Sequence, residues 1–351
     1  MCARVAVAMS GGVDSSTAAF LLKQEGHALM GITMQLFDSS CDESRDAAQV
    51  ACQLGFPHQT VDLSHTFRCR VMDEFVQCYE RGETPNPCID CNRHLKFGAL
   101  LDQALALDQE KIATGHYVRL NYDSGSGRWL LKKALHPEKD QSYVLYSLTQ
   151  HQLSHSLFPL GSLSKDEIRE IALSHGLVSA RKKDSQDICF IPDGDYGAFI
   201  RKHTGRSYPQ GVFLDESGAL LGTHTGIVDY TIGQRRGLGV SSTQGRLYVK
   251  EVRPGENAVI LSSNESLYTR SFAANAVNWI PFDRLDGPIR LHAKVRYRMA
   301  EQPCLVEPVD HDRIRVTFDQ PQRAITPGQA VVFYDGDCVV GGATILKGDS
   351  L

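Results

Sequence analysis

Ser10-Gly11-Gly12-Val13-Asp14-Ser15 combines the residue types that hold a phosphate: adjacent glycines, flanking serines and an aspartate. The apolar run Val5 to Met9 before it reads as a buried strand. Ser16 to Gln24 after it reads as a helix with Ala18, Phe20, Leu21 and Leu22 on a partly buried face. A strand, a glycine turn and a helix start let the backbone approach an anion, with helix N–H groups and serine hydroxyls as donors. Asp14 is placed to organise the loop or to help hold a magnesium ion. The loop lacks the Lys-Ser/Thr ending of a Walker A motif, which argues against a kinase or GTPase. The plain alternative is a tight strand-to-helix turn.

Cysteines form the second group with chemistry to offer. Cys88 and Cys91 make a C-x-x-C in Thr84-Pro85-Asn86-Pro87-Cys88-Ile89-Asp90-Cys91-Asn92. The prolines keep the segment before Cys88 out of helix. The apolar stripe Phe97, Leu100, Leu101, Ala104 and Leu105 begins soon after Cys91. The pair therefore enters a helix, where the positive end of the dipole favours a thiolate. Alone, this spacing fits half a zinc site, a redox pair or chance. Zinc needs four ligands, no second C-x-x-C exists, and His94 is too near to complete a finger. Cys189, in Asp184-Ser185-Gln186-Asp187-Ile188-Cys189-Phe190-Ile191, reads alone as a buried structural thiol, as do Cys2, Cys41, Cys52, Cys69, Cys78, Cys304 and Cys338.

These residues must be positioned by more than one domain, since 351 residues exceed one compact core. The first part alternates strands (Ala28–Phe37, Gln59–Leu63, Lys111–Leu120) with helices (Asp42–Leu54 and a stripe of Val71, Met72, Phe75, Val76 and Tyr79). Alternation of this kind predicts a parallel sheet covered by helices, with ligands beyond the strand ends. Ser124-Gly125-Ser126-Gly127 reads as a hairpin turn, and Ser164-Lys165-Asp166-Glu167 as a capping box. Past Phe190 the strands shorten. From about Leu267 the chain reads as all-β (Ile289–Tyr297, Cys304–Val309, Arg313–Phe318, Ala330–Tyr334, Cys338–Ile345), which suggests a small barrel. Net charge is −4, so RNA binding would rest on local basic patches. Arg235 and Arg236 between glycines, and Arg296-Tyr297-Arg298, suit phosphate contact and base stacking; singly, each is an ordinary surface charge. No apolar run spans a bilayer, and the chain enters its first strand almost at once, so a cytoplasmic protein without a membrane partner is expected.

The glycine loop resembles the pyrophosphate loop of enzymes that split ATP into AMP and pyrophosphate. Together with Asn86-Pro87-Cys88-Ile89-Asp90-Cys91-Asn92 and Ile188-Cys189-Phe190-Ile191, it resembles the tRNA-specific 2-thiouridylase (MnmA) family. Thr114-Gly115-His116-Tyr117, Lys139-Asp140-Gln141-Ser142-Tyr143, Tyr230 to Gly239 and Val295-Arg296-Tyr297-Arg298 add to the match, which runs essentially end to end. The resemblance implies an α/β fold: a Rossmann-like ATP-pyrophosphatase domain (1–193) with a parallel sheet, a small mixed central domain (194–266) and a C-terminal β-barrel (267–351). It implies a sulfurtransferase that adenylates the 2-oxygen of the wobble uridine of tRNA and installs sulfur.

The same resemblance distributes roles. Ala8, Met9, Ser10, Gly11, Gly12, Val13, Asp14 and Ser15 would hold the ATP phosphates, and Met34 and Gly115 would border the adenosine; Met34 alone reads equally as a core methionine. Cys91 would be the nucleophile and Cys189 the persulfide carrier, joined in a transient disulfide. Asn86, Pro87 and Cys88 would border the target base. His116, Lys139, Asp140, Gln141, Arg296, Tyr297 and Gln329 would meet the anticodon arm of tRNA. Sulfur would arrive from a persulfide carrier or a cysteine desulfurase relay.

Cys88 departs from the pattern, since better-known members carry an aspartate there as a proposed base. Three cysteines, Cys88, Cys91 and Cys189, would then converge, either for persulfide chemistry with a spare thiol or to hold a 4Fe–4S cluster with one open iron site. ATP, magnesium and that cluster are the cofactors implied. Two further functions share the loop: a synthetase that adenylates a small molecule, and a non-catalytic RNA-binding module with ATP as a structural ligand.

Overall fold

The computed structural model describes residues 2–37, 41–182, 188–240 and 245–348. Asp184 to Asp187, quoted above beside Cys189, lie outside the described residues.

The chain begins β1 (Arg4–Ala8), α1 (Val13–Gln24), β2 (Ala28–Gln35), α2 (Cys41–Leu54) and β3 (His58–Asp62). A broken helical stretch follows: α3 (Ser64–Phe67), a π-helical turn at Arg68–Met72, and α4 (Asp73–Glu80). The C-x-x-C opens a second one: α5 (Pro87–Asp90), a π-helical segment at Cys91–Ala99, and α6 (Leu100–Ala106). Next come β4 (Lys111–Ala113), β5 (Val118–Asp123), β6 (Arg128–Lys133), α7 (Gln150–Ser154), β7 (Ser156–Leu157) and α8 (Lys165–Ser174). Strands β3-β2-β1-β4-β7 form one parallel sheet, with Val7 opposite Gly31 and Ala113. Both faces are buried, which is why β1 is apolar throughout its centre. Val5 and Val7 face α1, α2 and α8, while Ala6 faces Phe97, Leu100 and Leu101. The capping box is present: Ser164 N–H donates to Glu167 Oε2 at 2.7 Å and Glu167 N–H to Ser164 Oγ at 3.2 Å.

The expected strand Lys111–Leu120 is two strands in different sheets. After Ala113 the chain turns at Thr114 to Tyr117, and β5 pairs only with β6 in a hairpin that meets the barrel at Lys132 and Cys338. Apolar residues stand on both sides of the turn, with Ile112, Ala113, Tyr117 and Val118 all buried, so hydrophobicity hid the break.

The central unit comprises α9 (Tyr196–Thr204), β8 (Gly211–Leu214), β9 (Leu220–His224), β10 (Tyr248–Arg253) and β11 (Ala258–Ser262), in strand order β10-β11-β8-β9. The barrel comprises β12 (Tyr268–Trp279), β13 (Ile289–Lys294), β14 (Gln302–Pro308), β15 (Ile314–Arg323), β16 (Ala330–Asp335) and β17 (Cys338–Ile345). β12 closes it by pairing with both β15 and β17. This strand was absent from the expected set, because a bulge with Ala276 at φ 51° and two asparagines interrupt its alternation. Asn278 is polar for a tertiary reason: its amide donates to the carbonyls of Tyr146 (2.7 Å) and Leu148 (3.1 Å). A continuous core joins barrel and catalytic domain, with Val332, Tyr334 and Val339 packed in the same cluster as Ile112 and Tyr143. Among the described residues no helix is long and apolar enough to cross a membrane.

Candidate active site

The loop from Ala8 to Ser15 sits at the carboxyl end of β1 and opens onto α1. Gly12 caps α1 with no side-chain bond, which leaves the first N–H groups of the helix to an anion. Ser15 Oγ donates to Gly12 O (3.2 Å) and accepts from Ser10 N–H (3.3 Å), closing the loop on itself. Gly11 has φ +67°, and a Cβ there would lie 2.6 Å from Asp46 Cβ. Gly115 abuts the same loop: a Cβ there would lie 2.9 Å from Ser15 N. These close approaches build the cradle expected of a phosphate site. Asp14 is fixed from two sides, since the Tyr117 hydroxyl and the buried Lys165 ammonium both donate to its Oδ1 at 2.6 Å.

Met34 lies on β2, half-buried, between the sheet's core and a cluster of Phe67, Val71 and Leu95 that also takes in Cys91 and Phe190. This cluster brings the cysteine motifs together. Asn86 Oδ1 accepts from Cys88 N–H at 3.2 Å and Pro87 starts α5, so the motif is helical from its first turn. The Phe190 ring is edge-on to Phe67 and Phe75, both at 5.6 Å, and 5.0 Å from Phe199 of α9. Those three contacts dock the Cys189 segment against α3, α4 and α9, and the cluster shared with Leu95 and Cys91 sets it beside the C-x-x-C helix. Cys88 and Cys189 are exposed on the cleft and Cys91 is half-buried. Each of the three thiols lies close enough to feel the charge of another. Of the cysteines expected to be buried, Cys78 and Cys304 are and Cys338 is half-buried; Cys2, ahead of β1, is exposed, as are Cys52 and Cys69 on the water-facing sides of their helices, and the Cys41 side chain lies outside the described residues.

The electrostatics differ from the expectation of a thiolate at a helix start. Cleft walls withhold water, and that desolvation pushes all three thiols up, Cys189 to about 12. Among the described residues Lys96 is the one cation that pulls all three down. It reaches them because residues 91–99 wind as a π-helix, whose i→i+5 bonding turns residue 96 toward residue 91. Lys96 also faces His116, whose ring burial holds well below the usual histidine range, so it is neutral at pH 7. Asp90 is pushed up to about 6 by burial and lines a cavity of about 280 Å³ with Arg70, Glu74, Arg81, Glu83, Arg93 and His94. Among the described residues no group of three or more His, Cys, Asp or Glu is arranged to hold a metal ion.

The residues matched to tRNA contacts are engaged within the protein. Asp140 accepts at Oδ1 from Ala134 N–H (2.9 Å) and at Oδ2 from the Ser142 hydroxyl (2.6 Å), and Gln141 Oε1 accepts from Tyr117 N–H (3.0 Å). Arg296 donates to the carbonyls of Arg323 (3.1 Å) and Ala324. Tyr297 is exposed on one side and donates to the Asp140 carbonyl at 3.0 Å. His116 is buried, with Nδ1 2.8 Å from Thr114 Oγ1. Gln329 donates to the carbonyls of Thr84 (2.7 Å) and Pro85 (3.0 Å), so the barrel holds the loop that carries Asn86 and Pro87. Arg235, Arg236 and Arg298 are exposed, and Lys139 is half-buried.

Residues 3–193 match the model of a tRNA methyl transferase HUP domain, 197–263 a tRNA methyl transferase PRC-barrel domain and 269–345 an aminomethyltransferase beta-barrel domain. The chain is 48% identical to tRNA-specific 2-thiouridylase MnmA 1 of Caldanaerobacter subterraneus subsp. tengcongensis, and 44% to tRNA-specific 2-thiouridylase MnmA of Clostridioides difficile, over 98% of each chain in both cases. This chain belongs to the tRNA-specific 2-thiouridylase family. The domain descriptions speak of methyl transfer, but the relatives that match end to end are named for 2-thiolation. As a 2-thiouridylase it is a sulfurtransferase that acts on uridine in tRNA and uses ATP through its HUP domain. A solved U34-tRNA thiolase NcsA from Methanococcus maripaludis with its [4Fe-4S] cluster is 18% identical, with a TM-score of 0.35 over 58% of this chain and 68% of that one, too slight a likeness to bear on the cysteines.

Four residues of this 2-thiouridylase site were not singled out by sequence reasoning. Lys96 was hidden by its spacing, since five residues from Cys91 is the wrong face of an α-helix. Lys165 was noticed only as part of a capping box. Tyr117 and Phe190 lay inside quoted motifs without a role. All four act through contacts between segments far apart in the chain.

Proposed function

We propose that the cradle at Ala8–Ser15 binds the ATP phosphates beside Met34 and Gly115, and that Cys189 and Cys91 perform the sulfur transfer. The observation that carries this reading is that Cys91 packs with Met34 and Phe190 in one cluster while Cys189, next to Phe190, lies within reach of the Cys91 charge. ATP supplies the adenylyl group that makes the uridine 2-oxygen a leaving group. Asp14 Oδ1 is occupied by two donors, so Oδ2 is the atom left to meet magnesium alongside the phosphates. Cys189, exposed on the cleft, takes a sulfane sulfur from a persulfide carrier or desulfurase relay. Its terminal sulfur attacks carbon 2 of the base. Cys91 then attacks Cys189 Sγ, the bond to the transferred sulfur breaks, and a Cys91–Cys189 disulfide remains. Lys96 holds the attacking sulfur as an anion against the desolvation of the cleft.

Asn86, Pro87 and Cys88 border a base flipped out of its stack, and the barrel sets their position through Gln329. Lys139, Arg235, Arg236, Arg296 and Tyr297 lie along the path of the anticodon arm, with His116, Asp140 and Gln141 behind them as positioning residues. The three cysteines are not arranged to hold a metal ion, so no step runs through a 4Fe–4S cluster. Free thiols and a tRNA substrate agree with a cytoplasmic location.

The test is mass spectrometry of tRNA nucleosides after incubation with ATP, magnesium and a persulfide donor. 2-Thiouridine is expected from the wild type and is lost in Cys91→Ser and Cys189→Ser. Unchanged product from either variant would overturn the assignment.

A further inference from the structure

We propose that Cys88 is a resolving thiol, which attacks the Cys91–Cys189 disulfide after each turnover and returns Cys189 to the reduced state. The inference rests on the sulfur-transfer reading above and gives a use to the third thiol of the site.

The geometry comes first. Cys88 lies in the first turn of α5, and the backbone stays right-handed helical through Asp90 (φ −65°, ψ −40°) and Cys91 (φ −59°, ψ −44°). Residues three apart on such a turn have Cβ atoms about 5–6 Å apart. A disulfide needs Cα atoms within about 4.4–6.8 Å and Cβ atoms near about 3.8 Å, so a small rotation closes Cys88 onto Cys91. Cys91 is half-buried against Phe67, Val71 and Leu95, whereas Cys88 is exposed on the cleft. A dithiol reductant therefore reaches Cys88 more readily than Cys91. Phe190, next in the chain to Cys189, packs in the cluster that takes in Cys91, and Cys189 lies within reach of the charge of both Cys91 and Cys88. Lys96 faces each of them and stabilises whichever carries the negative charge.

The exchange balances. Cys88 loses its proton and its sulfur attacks Cys91 Sγ. The Cys91–Cys189 bond breaks, and Cys189 leaves as a thiolate that takes up a proton. One disulfide replaces another with no net redox change. An external dithiol then reduces Cys88–Cys91 by two electrons, and Cys189 is free to accept the next sulfur.

The experiment uses the full chain with tRNA, ATP and a persulfide donor. One turnover without reductant is quenched with N-ethylmaleimide, and the disulfides are mapped by peptide mass spectrometry. The expected product is a Cys88–Cys91 disulfide with alkylated Cys189. In Cys88→Ser the disulfide is expected to stay at Cys91–Cys189, and with dithiothreitol present the rate of later turnovers relative to the first falls about tenfold. A wild-type enzyme that accumulates Cys91–Cys189 with alkylated Cys88 overturns the proposal, as does a Cys88→Ser variant with the wild-type ratio of later to first turnovers. Thiolation by Cys91→Ser would instead sink the reading beneath it.

Discussion

The phosphate loop and the sulfur cleft face each other across the carboxyl edge of one sheet, yet they are built differently. The loop is local. Eight consecutive residues make a strand end, a turn and a helix start, and an internal bond such as Ser15 Oγ to Gly12 O spans three residues. The cleft is assembled from segments about a hundred residues apart: the C-x-x-C helix, the Cys189 segment and, through Gln329, the barrel. The loop offers its donors whether or not ligand is present. The cleft holds its thiols neutral by desolvation, against which Lys96 pulls the other way. A binding site for a permanent anion can be preset in backbone, whereas a nucleophile that must stay quiet between turnovers is better held by burial against a nearby charge.

Substituting the charge should separate the two regions most sharply. Lys96→Met is expected to slow sulfur transfer about 100-fold, the loss of roughly 3 kcal/mol of attraction between close charges in a partly buried site. ATP affinity should be unchanged and Lys96→Arg should restore part of the rate. The sign with pH is fixed by the direction of the shift. A thiol raised to about 12 is almost wholly protonated at pH 7, so its alkylation rate rises with pH up to that value, and Lys96→Met moves the curve to higher pH. An unshifted curve would show that Lys96 does not serve the thiols.

Phe190→Ala tests the assembly of the cleft. Removing a half-buried ring with three aromatic neighbours should cost about 2 kcal/mol of packing and lower sulfur transfer about 30-fold. Oxidative cross-linking of Cys91 to Cys189 should fall with it, while adenylation, followed by tRNA-dependent pyrophosphate release from a single turnover, persists. Equal cross-linking yields in variant and wild type would refute the docking role.

Lys165→Met acts on the loop and should give the smallest of the three effects. It leaves the Tyr117 hydroxyl to hold Asp14 Oδ1 and should raise the KM for ATP about tenfold, near 1.4 kcal/mol, with little change in Cys189 alkylation. A sulfur-transfer defect at saturating ATP would break the division between the regions.

The sequence alone determined the local structures and their chemistry. Period and punctuation placed β1, α1, the capping box at Ser164 and the last barrel strand, because each depends on residues within one turn or one strand. The phosphate loop, the C-x-x-C and Cys189 were legible as residue types in their immediate contexts. Tertiary structure decided what no local rule reaches. It split residues 111–120 between two sheets, closed the barrel with a bulged β12, and wound residues 91–99 so that Lys96 joins Cys91. It also reversed the sign expected for the thiols. A helix start acts over one turn and favours a thiolate, but desolvation is summed over every wall of the cleft, and those walls come from the whole fold.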